Sequence, residues 1–240
     1  MYKKIINLKF KIFNKFFPNF ITSELYINYL KNLGVHIGKG TVIFNPGSVT
    51  IDSSRPILVQ IGNYCKITQG VIILGHDYSR SVLRRAYGEV IGEAKKTIIG
   101  DNVFIGVNSI ILMGTKIGDN CIIGAGSVCT GTYPSNSVIA GNPAKVILSL
   151  DDYYKKRVNS FVSEAKMYAK YFYEVYKIKP SIQDMGAFFP LYLERNIDKL
   201  KENNINIRLS GDEEKEILNY FLNSTPLYSN YEEFLNDVFK

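Results

Sequence analysis

Apolar residues recur every six positions in the stretch from Thr97 to Val146. Counted from Ile99 they are Ile105, Ile111, Ile117, Ile123 and Cys129, and glycine follows at Gly100, Gly106, Gly118 and Gly124. Two residues before each stands a small side chain: Thr97, Val103, Ser109, Thr115, Cys121 and Ser127. Six is a multiple of the strand repeat of two, so both columns share one face and each unit returns a short strand to the same place. The pattern predicts a coil that turns a corner every six residues with both columns inside. It also gives the glycines a conformational role, because a residue without a Cβ reaches backbone regions closed to the others.

The same columns extend upstream at Ile61, Ile67 and Ile73, preceded by Val59, Cys65 and Val71. Further back the count falls on Ile37, Ile43 and Val49, with Val35, Thr41 and Gly47. Ile-rich strands of a sandwich would instead carry turn signals at irregular spacings of roughly 8 to 12 residues. Two stretches break the count: Asp52 to Leu58, rich in Ser, Arg and Pro, and the long excursion from Leu74 to Lys96. A loop of the second length inside a compact repeat is usually functional or disordered.

Outside the coil the period becomes helical. At about 100° per residue, positions 3 to 17 place Ile5, Ile6, Phe10, Ile12, Phe13, Phe16 and Phe17 on one arc and most of the lysines on the other, up to Pro18. Two roles are open to this amphipathic helix: contact with an anionic membrane surface, or packing on the end of the coil. A second short helix spans 22–33, with Thr22 or Ser23 as its N-cap. Pro134 and Gly141-Asn142-Pro143 end the coil, and from Asp151 apolar residues recur at helical spacing until just before Pro180. Ser210 with Glu213, and Ser229 with Glu232, read as capping boxes of two further helices. The predicted organisation is an amphipathic segment over 1–34, the coil over 35–148 with its excursion at 74–96, and a helical extension over 149–240.

Composition narrows the context. With 240 residues, 46% of them hydrophobic, the chain can bury a core. The net charge is +7, and residues 1–35 supply most of it with six Lys against one Glu. That excess belongs to one amphipathic segment and no recognition motif accompanies it, which argues against a nucleic-acid partner. Cys65, Cys121 and Cys129 have no CxxC spacing and lie in the inward columns, as buried thiols do, and this suits a reducing cytoplasm. Lysines interrupt each apolar run that could serve as a secretory signal, and no run approaches the roughly 20 residues of a membrane span. The expected location is therefore cytoplasmic, with the inner membrane face open to residues 3–17.

The two columns, the excursion opening Gly75-His76, and the run from Ile123-Gly124-Ala125-Gly126-Ser127-Val128 through Ala140-Gly141-Asn142-Pro143-Ala144-Lys145-Val146 together resemble the hexapeptide-repeat acetyltransferases. The likeness covers about Val35 to Ile147 and is nearest to the branch of galactoside, maltose, xenobiotic and surface-polysaccharide acetyltransferases. It implies a mainly β fold, a left-handed parallel β-helix, with acetyl-CoA as co-substrate and no metal. It also implies a homotrimer with active sites between neighbouring subunits. His76 matches the family's general base, a role that suits imidazole, whose unperturbed pKa is about 6.5. Whether Asp77 or another carboxylate orients the ring is open.

By the same carry-over, Gly106, Val107, Asn108, Gly124, Ala125, Gly126 and Thr130 would line the pantetheine groove. Lys145, in the Gly-Asn-Pro-Ala-Lys segment, matches a basic position near the CoA phosphates, and Asn142 of the same segment is a further candidate CoA contact. Gly131 departs from the pattern, since relatives often carry Lys there. Asp77, Arg84 and Arg85 are candidate acceptor contacts; Arg80, Arg84 and Arg85 read first as solvated charges, with contact to an anionic acceptor as the lesser reading. His36 falls between inward positions and should face outward.

The acceptor implied is a sugar or glycan hydroxyl, with the amine of an amino or nucleotide-linked sugar as the alternative, because one base serves both. A coil that merely binds CoA or glycan is the non-enzymatic reading. Metal-dependent carbonic anhydrases share the coil but need three His ligands, and this chain has His36 and His76 alone.

Overall fold

The computed structural model describes residues 5, 6, 8–10, 12 and 20–240. The chain divides into two compact units, Met1–Tyr153 and Tyr154–Lys240.

The first unit is a left-handed parallel β-helix of three sides. One side stacks β1 (His36–Ile37), β4 (Val59–Ile61), β7 (Thr97–Ile99), β10 (Lys116–Ile117) and β13 (Thr132–Tyr133). The second stacks β2 (Val42–Ile43), β5 (Lys66–Ile67), β8 (Phe104–Ile105), β11 (Ile122–Ile123) and β14 (Ser137–Gly141), and β15 (Ala144–Ser149) closes it antiparallel to β14. The third stacks β3 (Thr50–Ile51), β6 (Ile72–Ile73), β9 (Ile110–Ile111) and β12 (Val128–Cys129). From Thr97 to Cys129 the six-residue columns are the core, and all twelve of their residues are buried.

Two details of the sequence reading change. Upstream, the third side is carried by Val49 and Ile51, both buried, while Gly47 is exposed. A 3₁₀ turn at Pro46–Ser48 inserts two residues at that corner and moves the count from Val49 to Ile51. The glycines after the inward aliphatics are required by proximity rather than by conformation. Gly100 is absent from the positive-φ residues, but a Cβ on it would stand 2.3 Å from Asp119 Oδ1 and 2.8 Å from the carbonyl carbon of Gly118 in the next coil. Positive φ falls instead on a stack of asparagines two residues on at the same corner, where Asn102 Nδ2 donates to Asn120 Oδ1 (2.9 Å) and Asn120 Nδ2 to Asn136 Oδ1 (3.1 Å).

Helix α1 (Ser23–Leu33) seals the first coil. Thr22 caps it by accepting from Leu25 N–H, and Ser23 Oγ accepts from Ile43 N–H. Leu30 is fully buried, and the Tyr26 hydroxyl donates to the Val49 carbonyl. Of the amphipathic helix expected over 3–17, the described residues are helical, and Phe10 stacks on Tyr26 and Tyr29 within the coil's core. Phe13, Phe16 and Phe17, with most of the lysines, lie outside the described residues.

Helix α2 (Arg80–Tyr87) stands on the excursion, and α3 (Leu150–Tyr176) leads into the second unit. That unit adds α4 (Ile197–Glu202), α5 (Glu214–Leu222) and α6 (Tyr231–Val238) around Ala165, Ala169, Tyr192, Leu200 and Phe234. Its caps differ from those expected. Glu213 occupies the N-cap of α5 without a side-chain capping bond, and Asn230 rather than Ser229 caps α6 while Glu233 reaches back to the Ser229 N–H. Among the described residues no helix is long and apolar enough to cross a membrane.

Candidate active site

Both interruptions of the count leave the coil at one corner, where the third side hands the chain to the first. Ile51 pairs with Ile73, so each residue of 52–54 lies beside the residue 22 positions later on the next coil. The stretch 52–54 therefore runs along 74–76. A hydrogen bond from Lys95 N–H to the Gly75 carbonyl (3.2 Å) pins the returning end of the excursion to its start.

This register brings Asp52 against His76. The Nδ1 of His76 lies 2.5 Å from Asp52 Oδ2, with the carboxylate buried and the imidazole partly open. Gly75 N–H donates to the same oxygen, and both the N–H and the hydroxyl of Ser54 donate to Oδ1. Burial of Asp52 favours its neutral form, but the bonds from His76, Ser54 and Gly75 outweigh it and hold the carboxyl at about 2. An ionised carboxylate can only accept, so Nδ1 carries a proton, and in the neutral ring the lone pair then lies on Nε2. The Ser54 hydroxyl lies 3.2 Å from Nδ1 and 3.5 Å from Nε2. The arrangement is a fixed imidazole with one basic nitrogen, able to take a proton from a hydroxyl or amine.

Asp77 has other partners. Its carboxylate accepts from the N–H and hydroxyl of Ser79, and these bonds, with Arg80 and His76 nearby, hold it below the usual carboxylate range. Arg84 and Arg85 are exposed on α2. The side chain of His36 points outward, as expected.

The residues matched to the pantetheine groove fall into two groups. Gly106, Val107 and Asn108 occupy the corner between the second and third sides. Gly124, Ala125 and Gly126 occupy the same corner one coil later, joined by Gly126 N–H to the Val107 carbonyl. Asn142 tops that stack in the β14–β15 turn, where Gly141 N–H bonds Ser127 Oγ, and Lys145 follows exposed on β15. Thr130 sits instead at His76's corner, its N–H donating to the Tyr133 hydroxyl. Among the described residues nothing lies within 4 Å of a Cβ built on Gly126 or Gly131, which leaves room at both corners for a thin ligand. Within one chain, the two groups occupy opposite edges of the third side.

Asp52 and Ser54 were absent from the sequence-based candidates. The available signal was the pair of interruptions, which share a corner once the strands are registered. Among the described residues no three His, Cys, Asp or Glu side chains converge as a metal site.

Comparison with known proteins adds a family. A profile described as the hexapeptide repeat of succinyl-transferase matches residues 96–130. Protein CapG of Staphylococcus aureus is 39% identical over 163 residues, covering 64% of this chain and 92% of that protein. The putative lipopolysaccharide biosynthesis O-acetyl transferase WbbJ of Escherichia coli is 47% identical over 55 residues, 23% of this chain and 28% of WbbJ. A 2,3,4,5-tetrahydropyridine-2,6-dicarboxylate N-acetyltransferase of Clostridium perfringens is 45% identical over 60 residues, 25% of each chain.

Proposed function

Because the chain belongs to the hexapeptide-repeat acetyltransferase family, we propose that it moves an acetyl group from acetyl-CoA directly to a hydroxyl of a sugar or glycan, with His76 as general base. The observation that carries this reading is the Asp52–His76 pair, built where the coil is interrupted. Asp52 acts through His76 as a positioning residue, fixing the ring and its protonation so that Nε2 faces the acceptor.

In the reaction Nε2 takes the proton of the acceptor hydroxyl as its oxygen bonds to the thioester carbonyl carbon. A main-chain N–H of the coil meets the charge that develops on the carbonyl oxygen. The carbon–sulfur bond then breaks, the thiolate leaves and takes up the proton held by His76, and an acetate ester remains. No acyl-enzyme intervenes. Gly106, Val107, Asn108, Gly124, Ala125, Gly126 and Thr130 hold the pantetheine arm, and Asn142 with Lys145 holds the phosphates.

These residues lie at two corners of one chain, which favours a homotrimer in which one copy's His76 corner faces its neighbour's glycine corner. The protein works in the cytoplasm, and residues 3–17 are a candidate contact with the inner membrane face. The sequence relation to an N-acetyltransferase favours a second reading, transfer to the amine of an amino sugar. Mild alkali separates the two, since an ester product loses its label and an amide keeps it.

The test is transfer from labelled acetyl-CoA to a panel of sugars. His76→Ala lowers kcat by roughly 10²–10⁴ while CoA still binds in a thermal-shift assay. Near-normal turnover would remove His76 from the mechanism, and failure to bind CoA would leave a non-catalytic coil.

A further inference from the structure

The excursion carries an aromatic ring and two cations in sequence away from the base. The Tyr78 ring meets that of His76 edge-on, with centroids 6.0 Å apart and planes at 62°, and Tyr78 is 73% exposed. The guanidinium of Arg80 lies over the same ring, 5.2 Å from its centroid, and is fixed by donating to the Asp77 carbonyl. Arg84 stands one helical turn further along α2, on the face of Arg80. Imidazole, phenol ring and the Arg80 guanidinium thus follow one another, and Arg84 stands one helical turn beyond.

The charge along this line is only partly matched. Asp77 lies within electrostatic reach of Arg80. Among the described residues no ion pair joins Arg80, Arg84 or Arg85, and Glu93, further along the excursion, pairs with Lys95. The first turn of α2 contains no acid, although its dipole would favour one there, and Arg80 occupies that turn. A half-buried cation held by stacking and a main-chain bond is already ordered, so an anion meeting it forgoes much of the usual ordering cost.

Resting on the transfer reading above, we infer that the acceptor is an anionic sugar. Its carboxylate meets Arg80 and Arg84 while its pyranose ring packs on the part of Tyr78 that Arg80 leaves uncovered, so that one hydroxyl is presented to His76. The geometry gives each part a partner. An exposed aromatic face suits the C–H face of a sugar, a guanidinium fork suits a carboxylate, and both stand on the segment that carries the base. The phosphates of CoA offer the same anionic chemistry from a different source. The residues assigned to them, Asn142 and Lys145, lie about three coils further along the axis, in the β14–β15 turn and on β15.

The test compares neutral methyl hexosides with their uronoside twins, glucoside with glucuronoside and galactoside with galacturonoside, which differ only at C6. Wild type should favour at least one uronoside in kcat/KM by about tenfold or more, the effect of a charge-assisted bond. R80Q and R84Q should raise KM for that uronoside and bring the ratio towards one, and Y78A should raise KM for both members of the pair. Binding of the same sugars to H76A by saturation-transfer NMR reads the site without turnover. A uronoside preference in binding with no transfer by wild type would overturn acetyl transfer and leave the anion site standing. Transfer with equal kcat/KM for every pair, or no uronoside bound above its neutral twin, would overturn the anionic acceptor. So would an R84Q effect confined to KM for acetyl-CoA.

Discussion

The coil has a regular half and an interrupted half. In the regular half, Ile99 pairs with Ile117, Ile105 with Ile123 and Ile111 with Cys129, each eighteen residues apart, three units of six. In the interrupted half the spacing grows to twenty-four between Ile37 and Ile61, twenty-two between Ile51 and Ile73, and thirty-eight between Ile61 and Ile99. The inward residues are equally buried in both. The extra length is spent entirely at corners, and the corner that receives most of it holds Asp52, Ser54 and His76. On the proposed mechanism, uniform rungs supply stability and departures from them supply chemistry.

Substitutions in the two halves should therefore separate stability from turnover. Ile105→Ala empties a fully buried site in the regular half and should cost about 2–5 kcal/mol. Urea denaturation would show this, with kcat per folded molecule retained. A loss of kcat with no change in the urea midpoint would break the division.

Asp52→Asn keeps the shape of its corner but withdraws the anion facing His76. It should lower kcat by about 10²-fold, within the roughly 10²–10⁴ that general-base catalysis contributes, with little change in KM for acetyl-CoA. The same variant sharpens the comparison in acid. The Asp52 carboxyl is held down from 3.8 to about 2, which stabilises the wild type by about 2 kcal/mol above pH 4. That contribution is lost as pH falls through 2. The urea midpoints of wild type and Asp52→Asn should therefore approach each other between pH 4 and pH 2, while those of Ile105→Ala and wild type stay apart.

Ser54→Ala should act least. Asp52 keeps its bonds from Gly75, His76 and the residue-54 N–H, so kcat should fall less than about tenfold, the scale of one hydrogen bond. A loss as large as that of Asp52→Asn would mean that the hydroxyl takes a direct part in proton transfer.

The regular half was legible in the sequence because inward residues announce themselves by type and spacing. The interrupted half was legible only in outline. A two-residue insertion at Pro46–Ser48 moved the inward position from Val49 to Ile51, and only with that register does Asp52 fall beside Leu74 and Ser54 beside His76. Nothing in the local sequence states an offset of twenty-two. The glycines were found, but their reason was not, because the oxygen that a Cβ on Gly100 would strike belongs to Asp119, in the next coil. His76 came through family resemblance, since one histidine on a loop carries little signal by itself. The caps of α5 and α6 were misplaced because several polar residues compete at each helix start and tertiary packing decides among them.

The bond between Lys95 and Gly75 has a further bearing. With its two ends joined beside Asp52, the excursion behaves as an interchangeable cassette. Its interior should therefore tolerate changes of length and sequence without disturbing the rungs beneath or the Asp52–His76 pair. If the proposed mechanism holds, variation there would revise which molecule is modified while conserving how it is modified, and transplanting residues 77–94 between relatives is the corresponding engineering route.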